Sequence, residues 1–118
     1  MSPKRGDDVA PPPIEGEWRL KFATTEAAKG WLDLCAEAAS NTRRCFEAMR
    51  SNPLSTANPD RCHELYGRLG RGTVGGAECP QWEYEVTAGG RVRYLVDEAR
   101  HTVHLVYASP RHPKDTDA

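Results

Sequence analysis

Residues 82–115, WEYEVTAGGRVRYLVDEARHTVHLVYASPRHPKD, restrict the possible folds of this chain more than any other stretch. Trp82, Tyr84 and Val86 alternate with Glu83 and Glu85. Val92, Tyr94 and Val96 alternate with Arg91, Arg93 and Leu95. Val103, Leu105 and Tyr107 alternate with Thr102, His104 and Val106. Alternation with a period of two in β-branched and aromatic residues marks strands with one buried face. Ala88-Gly89-Gly90 supplies a turn able to take positive φ, and Asp97 to His101 a short polar loop. The spacing therefore predicts an antiparallel meander with a basic tail, Pro110 to Lys114, leaving its last strand. Setting Tyr84 opposite Val92 places Glu85 opposite Arg91 and Glu83 opposite Arg93. Continuing outward, pairing Tyr94 with Val103 sets Arg93 beside His104. Directly opposed side chains interact, so one face is apolar and the other carries arginine, glutamate and histidine. That second face reads either as a solvated surface with ordinary ion pairs or as a working surface.

The N-terminal half supplies what covers the apolar face. Met1 to Gly16, with its Pro11-Pro12-Pro13 run, reads as a disordered leader, and residues 17–118 as a single domain. Trp18 to Phe22 alternates apolar and basic residues and predicts a first strand that returns to the sheet. Thr24 or Thr25 is a good N-cap for a helix to about Ala39, with Glu26 in the first turn. Ala27, Ala28, Trp31, Leu32, Cys35 and Ala38 form its apolar stripe. Ser40 or Asn41 starts a second helix with Cys45, Phe46 and Met49 on one face, and Asn52-Pro53 ends it. Ser51 to Pro59 reads as a polar loop. Arg61 to Leu69 is a short amphipathic stretch, open between a helical turn and an irregular strand. Gly70 to Pro80 reads as a mobile loop, because its GRGTVGG lacks the GK[ST] ending of a phosphate loop. The fold class that results is α+β: a twisted, mainly antiparallel four-stranded sheet with an N-terminal helix hairpin packed on one face.

With 118 residues and a formal net charge of −1, the chain has room for one modest core and no bulk charge that announces a nucleic-acid binder. No apolar run approaches membrane-spanning length and no signal-peptide pattern is visible, so a cytoplasmic location is expected. Cys35, Cys45, Cys62 and Cys79 form no CxxC pair and no zinc-finger spacing with the histidines. Reduced structural thiols are expected and no metal, with a Cys62–Cys79 disulfide left open.

The order strand, helix hairpin, basic loop, three-strand meander and polar tail, with the segments HELYGRL, WEYEV, GRVRYLV and RHPKD, resembles the RelE/ParE toxin superfamily of bacterial toxin–antitoxin systems. The resemblance spans Trp18 to Asp115. It implies a small toxin neutralised by a cognate antitoxin. RelE-like members enter the ribosome and cut mRNA, which inhibits translation; ParE-like members inhibit DNA gyrase. Cutting RNA through its 2′-hydroxyl needs a proton acceptor, cations for the charge developing on phosphate, and a donor to the leaving oxygen. The resemblance implies that Arg91 and Arg111 bind the scissile phosphate and that His112 transfers a proton, without metal or cofactor. It implies that Arg68, Arg71, Arg93 and Lys114 contact mRNA or ribosomal RNA. The slightly acidic composition departs from the basic make-up of RelE-like enzymes. Two non-catalytic readings therefore stay open beside the endoribonuclease: a ParE-like gyrase inhibitor, and a degenerate relative acting only as a protein-binding module.

Overall fold

The computed structural model describes residues 2–111; His112 and Lys114 lie outside them. Its elements in chain order are β1 (Arg19–Phe22), α1 (Thr25–Glu37), α2 (Ala39–Ser51), β2 (Cys62–Glu64), β3 (Arg71–Val74), β4 (Ala77–Glu85), β5 (Arg91–Asp97) and β6 (Thr102–Ser109). Helical turns of the tighter three-residue kind precede β3 and separate β5 from β6. The sheet runs β1-β6-β5-β4-β2, with β3 paired to β4. β1 lies parallel to β6 and the other pairings are antiparallel. The architecture is α+β, two N-terminal helices on a mixed, mainly antiparallel sheet. The returning first strand is where the N-terminal alternation placed it.

The sheet has six strands rather than the expected four. The two extra strands are β2, from the stretch left open between a helical turn and an irregular strand, and β3, from the stretch that read as a mobile loop. Neither displays a full alternation: β2 has three residues, and β3 carries a glycine at its second position. Gly70 to Pro80 is thus an ordered β3–β4 hairpin. Its turn, Gly75-Gly76, has φ of 57° and 82°, the double positive φ that a tight two-residue hairpin requires. The hairpin folds onto the second face of the sheet at Leu95, whose side chain would lie 2.8 Å from any Cβ at Gly72. Thr87 to Gly90 turns without positive φ at its glycines; the Thr87 hydroxyl accepts the Gly90 N–H at 2.8 Å instead.

The β4–β5 register is the predicted one, Tyr84 with Val92, Glu85 with Arg91 and Glu83 with Arg93. The β5–β6 register is not. Tyr94 pairs with Leu105 and Arg93 with Tyr107, with Val106 as the extra residue between the two pairs. A bulge reverses which face the following residues occupy. Beyond it, Ala108 joins Val103 and Leu105 on the core face, Tyr107 moves to the second face, and His104 sits opposite Leu95 rather than beside Arg93.

The bulge fits the helix layer. Thr24 caps α1 by accepting the Ala27 N–H at 2.9 Å. The buried stripe of α1 is Ala27, Ala28, Gly30, Trp31 and Leu34, so Leu32 and Cys35 face outward. A Cβ at Gly30 would lie 1.6 Å from the Ala108 carbonyl oxygen, so the helix rests on the β6 backbone itself. Between the layers lie Leu20, Phe22, Leu34, Met49, Val86, Val92, Tyr94 and Leu105, each under 3 % exposed. Burial of each such side chain is worth about 1.5–3 kcal/mol.

The leading segment, expected to be disordered, is laid along the outer edge of β1. The Gly6 and Val9 amides donate to the Phe22 and Leu20 carbonyls at 2.8 Å, and Phe22 returns a bond to Asp7 at 2.9 Å. Val9 is 3 % exposed. Buried Arg50 of α2 donates to the Val9 and Pro11 carbonyls at 3.3 and 2.7 Å, stacks over Phe46 and faces Glu17. One apolar residue and one arginine thus hold a segment whose composition carries almost no hydrophobic signal.

Candidate functional site

The second face of the sheet is charged where the core face is apolar. From β2 across to β1 it presents His63; Glu85 and Glu83; Arg91, Arg93, Leu95 and Asp97; Ser109, Tyr107, His104 and Thr102; then Lys21 and Arg19. Its centre is Glu83, buried at mid-sheet because β5 flanks its strand on one side and β2 on the other. One carboxylate oxygen accepts the Arg93 Nε–H at 2.8 Å. The other faces Arg91 Nε at 3.6 Å and His63 Nε2 at 3.7 Å. The Arg93 guanidinium also lies 5.6 Å from the centre of the Tyr107 ring, within cation–π range. Removing charge from water is costly unless it is paired, so the buried arginines and Glu83 depend on one another.

Arg91, the strand arginine expected to grip phosphate, is 8 % exposed. Its Nη1 donates to the carbonyls of Thr87, Ala88 and Gly90 at 3.0–3.1 Å, closing the β4–β5 turn. Its Nη2 faces Glu85 at 3.6 Å. Arg111 is exposed just past β6, with its amide donating to Ser109 Oγ at 3.0 Å. The register puts Ser109 opposite Arg91 and Tyr107 opposite Arg93. Arg91 and Arg93 therefore stand at the Ser109 end of the charged face, and Arg111 follows two residues beyond that end of β6. Arg68 is exposed on the turn before β3, and Arg71 pairs across the hairpin with Glu78 at 3.1 Å. Both lie away from the Glu83 cluster in the register.

Sequence reasoning missed His63 and Tyr107 as members of this face. The three-residue β2 is too short for its alternation to stand out, and the β6 bulge carries no glycine or proline to signal it. At the other end of the face, His104 Nε2 is buried 3.7 Å from Asp97 Oδ2. Burial pushes the His104 imidazole below its usual range, with Lys21 and Arg100 adding to the fall and Asp97 opposing it. Burial works to raise Asp97, but hydrogen bonds from Arg100 and the charges of Arg100 and His104 outweigh it and hold the carboxyl low.

All four cysteines are free. Burial raises the Cys45 and Cys62 thiols, away from reactive thiolate, and Cys62 lies 3.2 Å from the Tyr94 hydroxyl. Among the described residues no three His, Cys, Asp or Glu side chains gather as a metal site requires. No helix among them is long and apolar enough to cross a membrane.

Chemically, the cluster offers fixed cations, a carboxylate between them, and a partly exposed imidazole. Glu83 faces both Arg91 and Arg93, and Glu85 faces Arg91. No protein-family model, curated protein or solved structure matches this chain.

Proposed function

We propose that this chain is a RelE/ParE-like toxin that cleaves mRNA on the ribosome, acts in the cytoplasm and is silenced by a cognate antitoxin. The observation that carries the reading is that Arg91 and Arg93 pair with Ser109 and Tyr107 at the end of β6, which leads within two residues to the exposed Arg111. Planar guanidinium groups grip a phosphodiester bidentately and keep their charge at every working pH. The return of β1 beside β6, with the helices on the opposite face, adds support by leaving this surface uncovered by helix.

In this reading Arg111 and Arg93 stabilise the charge building on the phosphoryl oxygens, and Arg91 holds the turn that positions them. His63 is the titratable group best placed among the described residues to move a proton. It is about one-third exposed, and its Nε2 lies 3.7 Å from the Glu83 carboxylate. His112, outside the described residues, remains the other proposed proton carrier, and Arg68, Arg71 and Lys114 the proposed contacts to RNA backbone. The antitoxin masks the same arginines.

A second reading rests on one specific observation. Arg91 and Arg93 are already engaged by Glu83, Glu85 and backbone carbonyls. A chain whose arginines stay locked in this way is a non-catalytic binder, either a gyrase-inhibiting toxin or a module that holds only its antitoxin. Primer extension on mRNA from a reconstituted translation reaction separates the two. Cuts within codons at the ribosomal A site, lost in Arg111→Ala, support cleavage; uncut mRNA with folded protein supports the non-catalytic reading.

A further inference from the structure

A cavity of about 250 Å³ opens between the start of α2, the segment entering β2 and the end of β4, lined by Asn41, Arg44, Arg61 and Tyr84. Every lining side chain carries a hydrogen-bond donor and none is a carboxylate, in a chain with 17 acidic residues. Among the described residues neither Arg44 nor Arg61 forms an ion pair, in contrast to Arg43, which holds Glu47 at 3.2 Å on the same helix. Both guanidiniums are positioned. Arg44 Nη1 donates to Asn41 Oδ1 at 2.7 Å, and Arg61 Nη1 donates to the Glu85 and Val86 carbonyls at 2.8 and 3.3 Å. Nε and Nη2 of both Arg61 and Arg44 make no protein hydrogen bond among the described residues. Tyr84 is 7 % exposed. Burial raises its hydroxyl foremost, while Arg61 and Arg44 pull it the other way, which places both cations within electrostatic reach of the phenol. The positive end of α2 adds to the field, since α2 has no acidic residue in its first turn and no side-chain cap.

We infer that this cavity is an oxyanion site for a phosphoryl group, held by Arg44 and Arg61 with the Asn41 amide and Tyr84 hydroxyl as further donors. Two neighbouring guanidiniums repel one another unless an anion is shared between them, and their forks fit the oxygens of a phosphate. The volume is below the roughly 300–1,000 Å³ of sites for drug-sized ligands and suits a single small anionic group. The site lies on the helix side of the sheet end where Arg91 and Ser109 stand in register, apart from the Glu83 cluster. It does not depend on the cleavage reading.

The test is titration of inorganic phosphate into isotopically labelled protein, following the side-chain Nε resonances of Arg44 and Arg61 by NMR. A saturable shift at both is expected, weakened roughly tenfold in Arg44→Ala by loss of one charge-assisted pair. Arg43→Ala removes the same charge from the same helix and should leave the affinity unchanged. Arg44 is exposed, so its variant should fold; retention of the wild-type amide spectrum checks this. Competition by a 2′-deoxy oligonucleotide would assign the group to a nucleic-acid strand, and competition by a mononucleotide alone would assign it to a free phosphorylated compound. Absence of a saturable shift, or equal weakening by both alanine variants, would overturn the site. None of these readouts measures cleavage, so failure of the nuclease reading leaves them intact.

Discussion

Glu83→Gln tests whether the charged face is a mutually dependent set. The substitution keeps shape and volume but removes the buried carboxylate charge that Arg91 and Arg93, with side chains 9 % and 5 % exposed, share. Breaking a buried ion pair by removing one partner costs about 3–5 kcal/mol, most of it the burial of uncompensated charge. For a chain of this length that lowers the melting temperature by roughly 10–20 °C. Glu85→Gln removes the same charge on the same strand, two residues along. Its side chain is 33 % exposed and touches Arg91 at 3.6 Å, so water screens the loss and the cost should stay below about 1 kcal/mol. Urea unfolding of both variants beside wild type, with the m-values compared, gives the difference directly. Equal destabilisation by the two changes, or a Glu83→Gln cost under about 1 kcal/mol, would refute the mutual dependence. It would then return the face to an ordinary solvated surface.

Other perturbations follow from particular contacts. Gly30→Ala should destabilise by about 3 kcal/mol or more despite improving helix propensity by ~1 kcal/mol, because the new Cβ meets β6 backbone that cannot move aside; a thermal melt at or above wild type would contradict the close α1–β6 contact. Arg50→Met should release the leading segment without unfolding the sheet, raising hydrogen exchange at the Gly6, Val9 and Phe22 amides while the β5 amides stay protected; a uniform change across the sheet would argue otherwise. The folded imidazole of His104 lies below its unfolded value of about 6.5, so the unfolded state binds the proton first. The associated stability is fully present above that pH and lost as pH falls through the range below it. His104→Gln should flatten this part of the pH–stability curve, and an unchanged curve would remove His104 as its source.

The sheet was legible where side-chain alternation runs long enough to count. β5 and the end of β4 show it over five or more residues, and their pairing, Glu83 with Arg93 and Glu85 with Arg91, follows from keeping apolar residues on one face. The first strand and both helices were legible for the same reason, together with the Thr24 cap. Three things were hidden. The bulge at Val106 left no glycine or proline to mark it, so Tyr107 read as core although it stands over Arg93. β2 and β3 are stabilised by pairing to β4 rather than by patterns of their own, so the β2 stretch stayed open between a helical turn and an irregular strand and β3 read as loop. The leading segment owes its place to backbone hydrogen bonds with β1 and to Arg50, neither of which leaves a trace in local composition. For the candidate site, the arginines were visible as residues, but their neutralisation by a buried glutamate depends on which strands flank it. His63 could join the set only once β2 was known to be a strand.

The central claim, that the arginines at one end of the charged face form an RNA-cleaving surface, is tested most directly by primer extension on mRNA in a reconstituted translation reaction. Arg111 is the residue to vary, because it is exposed, whereas Arg91 also closes the β4–β5 turn. The account predicts new cuts within A-site codons with the wild-type chain, reduced at least about a hundredfold in Arg111→Ala, which removes a positioned charge from the developing oxyanion. Intact mRNA with folded wild-type protein, or undiminished cutting by Arg111→Ala, would contradict it.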